Sequence, residues 1–197
     1  MKTIKNEITN EIIINKSRFI TIITPVNDLD KIKDKLKNIK KTYKDATHYC
    51  YAYIINNQQK CSDDKEPSGT AGMPILNVLK NNDLTNILCV VVRYFGGIKL
   101  GAGGLTRAYS SSASEILNKC EFGYLTEGYK IVIDLPYENM KQVDYILKDS
   151  EIIKEYAEKV IYTFVIEKKE YNDIRENLNK YSTLREIENT IITKDEY

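Results

Sequence analysis

Between residues 86 and 109 the chain reads NILCVVVRYFGGIKLGAGGLTRAY, and this stretch limits the possible folds more than any other. Ile87–Val92 is an unbroken apolar run. It is too short to span a bilayer, which takes about 20 residues, but long enough for a strand covered on both faces. The chain must therefore supply a sheet with cover on each side. Five of the nine glycines in the protein follow within fifteen residues, at 96, 97, 101, 103 and 104. A small-residue helix, LTRAYSSSASEIL, comes next, its serines and alanines permitting close approach to the sheet.

Glycines between a buried strand and a helix leave backbone N–H groups free at the helix start, where anions are favoured. Arg93, Gly96, Gly97, Lys99, Gly101, Gly103, Gly104 and Arg107 are accordingly the candidate residues for an anion or nucleic-acid contact. Neither standard nucleotide loop is present. Gly96 and Gly101 have the P-loop interval, but Ala102-Gly103 stand where Lys-Ser/Thr is required. Gly101 and Gly103 begin a dinucleotide fingerprint that Thr106 breaks. The alternative is architectural: positive-φ turns and tight strand–helix packing.

The rest of the first 125 residues fits such a sheet. EIIINKSRFITIITPV predicts a β-hairpin turning at Asn15-Lys16-Ser17. Leu29, Ile32, Leu36, Ile39 and Tyr43 share one face of a helix. THYCYAYII predicts a strand with Tyr49, Tyr51 and Tyr53 on one face and Cys50, Ala52 and Ile54 on the other. Met73-Pro74 suits a helix first turn, with Ser68 or Thr70 as its cap. The expected order is β-β-α-β-α-β-α. EFGYLTEGYK reads as a connection. Residues 126–197 then give β-α-β-β-α-β, the ferredoxin-like plan. The fold class is α+β, with domains at 1–125 and 126–197.

Net charge is +1, but the first 125 residues carry 18 Lys and Arg against 12 Asp and Glu, and the remainder 11 against 16. A basic first part suits a polyanionic partner; seven lysines between 31 and 44 equally suit a solvated helix face. No apolar segment suits a membrane span or signal peptide, so a cytoplasmic location is expected.

Catalytic chemistry finds little to use. Cys50, Cys61, Cys89 and Cys120 form no C-x-x-C pair, and His48 is the sole histidine, so no metal and no cofactor is expected. Ser68 lacks a G-x-S-x-G elbow, and His48 beside Cys50 has nothing visible to orient its imidazole. In SDDKEPSGTAG, the acids Asp63, Asp64 and Glu66 could hold a divalent cation, pair with Arg93 or Arg107 across the fold, or face solvent.

ATHYCYAY, DDKEPSGTAGMPILNVL and VVRYFGGIKLGAGGLTRAYSSSA, in this order and spacing, resemble the signature stretches of the YigZ/IMPACT family. The resemblance covers the whole chain, since bacterial members carry a second, C-terminal ferredoxin-like domain. It marks Asp63, Asp64, Glu66, Ser68, Gly69 and Thr70 as the family's acidic loop, and departs at Lys65, where members commonly carry glycine. It implies a first domain with the ribosomal protein S5 domain 2-like fold and a second like the last domain of elongation factor G. The eukaryotic relative regulates translation by interfering with activation of a stress kinase. A non-enzymatic regulator contacting RNA, the ribosome or a translation-related protein is the leading expectation. A binder of a small phosphorylated ligand, kinase-like at most, and a pure protein–protein module are the alternatives.

Overall fold

A computed structural model describes residues 1–195. The chain divides into two compact units, 1–123 and 124–194, with Asp195 grouped with the first.

The first unit is built on a five-stranded antiparallel sheet in the order β2-β3-β6-β4-β5, comprising β2 (Ile8–Ile14), β3 (Ser17–Pro25), β4 (His48–Ile55), β5 (Gln58–Ser62) and β6 (Ile87–Tyr94). The apolar run is the central strand β6, and Ile87–Val92 are all buried. α1 (Leu29–Thr42) lies on one face, packing Ile32 and Ile39 with Ile20, Ile22, Val90 and Val92. α2 (Gly72–Asn81) and α3 (Gly101–Leu117) cover the other, packing Ile75, Leu79, Tyr109 and Ile116 with Phe19, Cys50, Cys89 and Val91. Each buried aliphatic side chain contributes roughly 1.5–3 kcal/mol. The small residues of α3 do permit close approach: the Thr21 hydroxyl on β3 donates to Ser112 O at 3.4 Å.

The β2–β3 hairpin turns on Asn15 and Lys16, both at positive φ (47° and 66°), as a two-residue turn between twisted strands requires. Two strands escaped the sequence reading. β1 (Lys2–Ile4) is only three residues long, tied by Thr85 N–H to Lys2 O at 2.9 Å. β5 is polar apart from Cys61, so it lacks an apolar alternation.

The second unit holds the order β10-β7-β9-β8, formed by β7 (Phe122–Leu135), β8 (Ile152–Tyr156), β9 (Val160–Glu167) and β10 (Thr183–Asp195). With α4 (Met140–Ile146) after β7 and α5 (Lys168–Leu178) after β9, this is the ferredoxin-like β-α-β-β-α-β path. Ile131, Ile133, Val143, Tyr162, Phe164 and Leu178 form its core. The segment read as a connection, EFGYLTEGYK, is instead the first half of β7. Gly128 lies in that strand because a Cβ there would stand 2.7 Å from Ile166 O, the close backbone approach that strand glycines mark.

Candidate functional site

An arginine inside an apolar strand has to find a partner, because an unpaired buried charge costs several kcal/mol. Arg93 is 4% exposed. Its Nη1 donates to Glu66 Oε1 at 2.5 Å and its Nη2 reaches Ser17 Oγ at 3.5 Å. The guanidinium carbon also stands 5.4 Å from the Phe19 ring centre and 5.6 Å from that of Phe95, so two aromatic faces replace part of its lost hydration.

Glu66 is the hub of this buried cluster. The same Oε1 accepts from the Tyr109 hydroxyl at 2.8 Å, and His48 Nε2 stands 3.7 Å away. The other ring nitrogen of His48, Nδ1, is 2.8 Å from Asp64 O. A carbonyl only accepts, so Nδ1 carries the proton and Nε2 faces the carboxylate. The imidazole is thus oriented after all, by a backbone carbonyl that the sequence did not reveal. Cys50 Sγ sits 3.0 Å from Asp63 O and 3.4 Å from the Tyr109 hydroxyl. Burial pushes the Cys50 thiol up to about 12 and raises Tyr109 as well. Cys50 is therefore a neutral packing group rather than a nucleophile.

The acidic loop is fastened through each of its acids separately. The Asp63 carboxylate accepts from the amides of Gly69 (2.8 Å), Ala71 (3.0 Å) and Gly72 (2.8 Å). Burial opposes its ionisation, but these three N–H groups outweigh that and hold its carboxyl below the ordinary value. Asp63 thereby serves the start of α2 from nine residues upstream. The cap expected from Ser68 or Thr70 is not used: Thr70 donates to Pro67 O at 2.6 Å, and Ser68 is exposed. Asp64 accepts from Tyr49 N–H at 2.6 Å. Among the expected alternatives for these acids, pairing with Arg93 is the one Glu66 adopts.

Lys65 adopts φ +70° and Asp64 φ +40°. The residue that departs from the family's glycine thus occupies a conformation glycine prefers. Gly69 is likewise at positive φ, with open space around it.

Above the cluster runs the glycine loop. Gly96 N–H donates to Ser17 Oγ at 3.1 Å, and a Cβ on Gly96 would stand 2.0 Å from Lys16 C. The loop is therefore clamped on the turn of the β2–β3 hairpin. Gly97 and Gly101 take φ +84° and +68°. Gly101, Gly103 and Gly104 form the first turn of α3, with no side-chain cap. Lys99 and Arg107 are exposed, and Arg107 Nη1 stands 3.7 Å from where a Gly103 Cβ would lie. Phe95 (47%) and Ile98 (42%) are exposed beside them. Arg93 thus parts company with Lys99 and Arg107: it locks the loop from below, whereas they face outward.

The sequence pointed to Glu66 and Arg93 but not to Tyr109, Ser17, His48 or Cys50 as their company. A charge interrupting VVVRYF was the available signal; the pairing registers of β6 with β3 and β4, which put Arg93 across from Phe19 and His48, were not.

The fold and site define an α+β protein of two units whose glycine loop and acidic loop are bolted together by one buried ion pair. The Impact N-terminal domain model matches residues 15–117. The IMPACT family member YvyE of Bacillus subtilis is 40% identical over 98% of this chain and 93% of its own length. IMPACT family member YigZ of Escherichia coli is 33% identical over 68% of each chain. A solved structure described as an hypothetical protein superposes with TM-score 0.63 at 28% identity, covering 95% of this chain and 97% of that one. The chain belongs to the IMPACT family. The stretches that carry this membership supply His48, Arg93 and Tyr109, which meet at the Glu66 carboxylate, and Cys50, which reaches the cluster through the Tyr109 hydroxyl. No helix among the described residues is long and apolar enough to cross a membrane.

Proposed function

We propose that the protein is a non-enzymatic regulator associated with translation, and that the rim Phe95–Arg107 contacts RNA. The observation carrying this reading is the division of labour within the glycine stretch. Its buried charges are consumed by one another, with Arg93 on Glu66 and Glu66 on Tyr109. Its outward charges, Lys99 and Arg107, have no ion-pair partner among the described residues and flank the uncapped start of α3. Such a surface suits phosphate oxygens through N–H groups and cations together.

A specific observation also favours a second reading. Phe95 and Ile98 give the rim an exposed apolar component, which suits a protein partner in the translation apparatus.

The test is anisotropy of labelled ribosomal RNA fragments across a salt series. RNA contact predicts affinity falling linearly on a log–log plot, with the slope reduced by about 0.7–0.9 for each of Lys99→Ala and Arg107→Ala. Salt-independent binding, or none at micromolar protein, sinks the RNA reading. Loss of a co-purifying protein in Phe95→Ala or Ile98→Asp, with RNA binding intact, supports the protein reading.

A further inference from the structure

The lysines of α1 and the tyrosines of β4 are not drawn into the glycine loop, and they lie side by side. Lys33, Lys37 and Lys40 recur at i, i+4 and i+7, which places them on one flank of the helix. That flank runs beside β4. At one end, Lys33 shares a groove of about 560 Å³ with Ile55, Asn57 and Gln58 at the β4–β5 turn. At the other, Lys40 Nζ stands 5.4 Å over the Tyr49 ring. Between these ends, Tyr53, Tyr51 and Tyr49 share the α1 side of the sheet and are half-buried.

Charge and hydrogen bonding leave this strip unsatisfied. Lys33 pairs with Asp30 at 2.8 Å, but Lys37, Lys40 and Lys44 are exposed and have no ion-pair partner among the described residues. The dipole at the end of α1 accounts for a cation at Lys40, but not for Lys37 in mid-helix. The Tyr49 hydroxyl donates to Tyr43 O at 2.6 Å. Those of Tyr51 and Tyr53 have no partner among the described residues, and exposed Lys60 on β5 stands across from Tyr53.

We infer that this strip is a binding track for single-stranded RNA, with Tyr51 and Tyr53 as stacking platforms and Lys37, Lys40 and Lys44 on the phosphates. Same-face residues on a strand are ~6.8 Å apart, twice the ~3.4 Å rise per nucleotide of a stacked duplex strand. The rings therefore match splayed bases, the state in which single strands are read. The track reaches the glycine loop without a break. The Tyr94 hydroxyl donates to Lys44 O at 2.9 Å, and Phe95 N–H donates to Thr47 Oγ1 at 3.0 Å. The inference extends the RNA reading to a second surface and can fail independently of it.

The experiment is anisotropy of a labelled single-stranded uridine oligonucleotide against the full chain, with its duplex form and heparin as competitors. Each variant is first matched to the parent by its urea midpoint. The triple variant Lys37→Gln/Lys40→Gln/Lys44→Gln, altered only at exposed positions, lowers the log–log salt slope by about 2, at about 0.7 per phosphate lost. Tyr51→Ala and Tyr53→Ala each weaken binding by about tenfold, whereas Tyr51→Phe and Tyr53→Phe leave it unchanged, as stacking requires. If only Lys99 and Arg107 variants weaken the complex, the track is wrong and the glycine-loop reading stands. Heparin or duplex binding as tightly as the single strand, with no effect of the Tyr→Ala changes, overturns the track by making the strip a plain polyanion surface. An acidic protein captured in place of the oligonucleotide overturns it equally.

Discussion

At the scale of single residues, the cluster around Glu66 shows what an isolated charge in an apolar strand implies. Removing one partner of a buried pair strands the other, at about 3–5 kcal/mol. Glu66→Gln is expected to lower unfolding free energy by that order in urea titrations. The double change Glu66→Leu/Arg93→Met recovers only part of it: apolar replacement of both ionic partners is close to neutral, but the buried Tyr109 hydroxyl loses its acceptor. Asp63 adds a pH dependence. Its folded carboxyl titrates below the ordinary value, so its contribution is complete above about pH 4 and is lost as pH falls through the depressed value. Urea midpoints taken down into that acid range fall steeply in the parent protein. They fall less steeply in Asp63→Asn, which starts lower.

At the scale of elements, legibility followed apolar pattern. β6, α1, the β2–β3 hairpin, the second half of β7, β9 and α5 were readable because each carries its own period of buried or half-buried residues. By contrast, β8 and β10, with no buried residue, were readable from β-branched content. β5 was not, since polar Gln58–Ser62 is held by pairing with β4 rather than by a buried face. The first half of β7 was hidden by two glycines, of which Gly128 is required by a close approach to Ile166, distant in sequence. The site was half legible for a similar reason: glycines announced a junction, while the partner of Arg93 depended on strand register. Backbone substitutions separate these cases. Gly96→Ala forces a Cβ against the Lys16 backbone and is expected to destabilise by several kcal/mol, while Gly97→Ala meets open space and costs only its positive φ, about 1–2 kcal/mol. Lys65→Gly relieves the opposite situation and is expected to stabilise by up to ~1 kcal/mol. Thermal midpoints of the three variants rank them.

At the scale of the whole molecule, all four cysteines lie in the first unit and report on its integrity. Burial pushes the Cys120 thiol up to about 11 and Cys50 to about 12, and raises the fully buried Cys89 further. Thiol labelling near about pH 8 is therefore expected to reach partly exposed Cys61 first and Cys120 next, with Cys50 and Cys89 modified only on unfolding. Rapid modification of Cys50 in the native protein would contradict the closed cluster described above. That closure has a kinetic consequence. The acidic and glycine loops are tied down by the Glu66–Arg93 pair, by three amides on Asp63 and by the hairpin turn under Gly96 before any partner arrives. Docking on the rim proposed above would then cost little ordering entropy. Encounter should be governed by diffusion and charge, so that partners of differing affinity are told apart by how long they stay rather than by how fast they arrive.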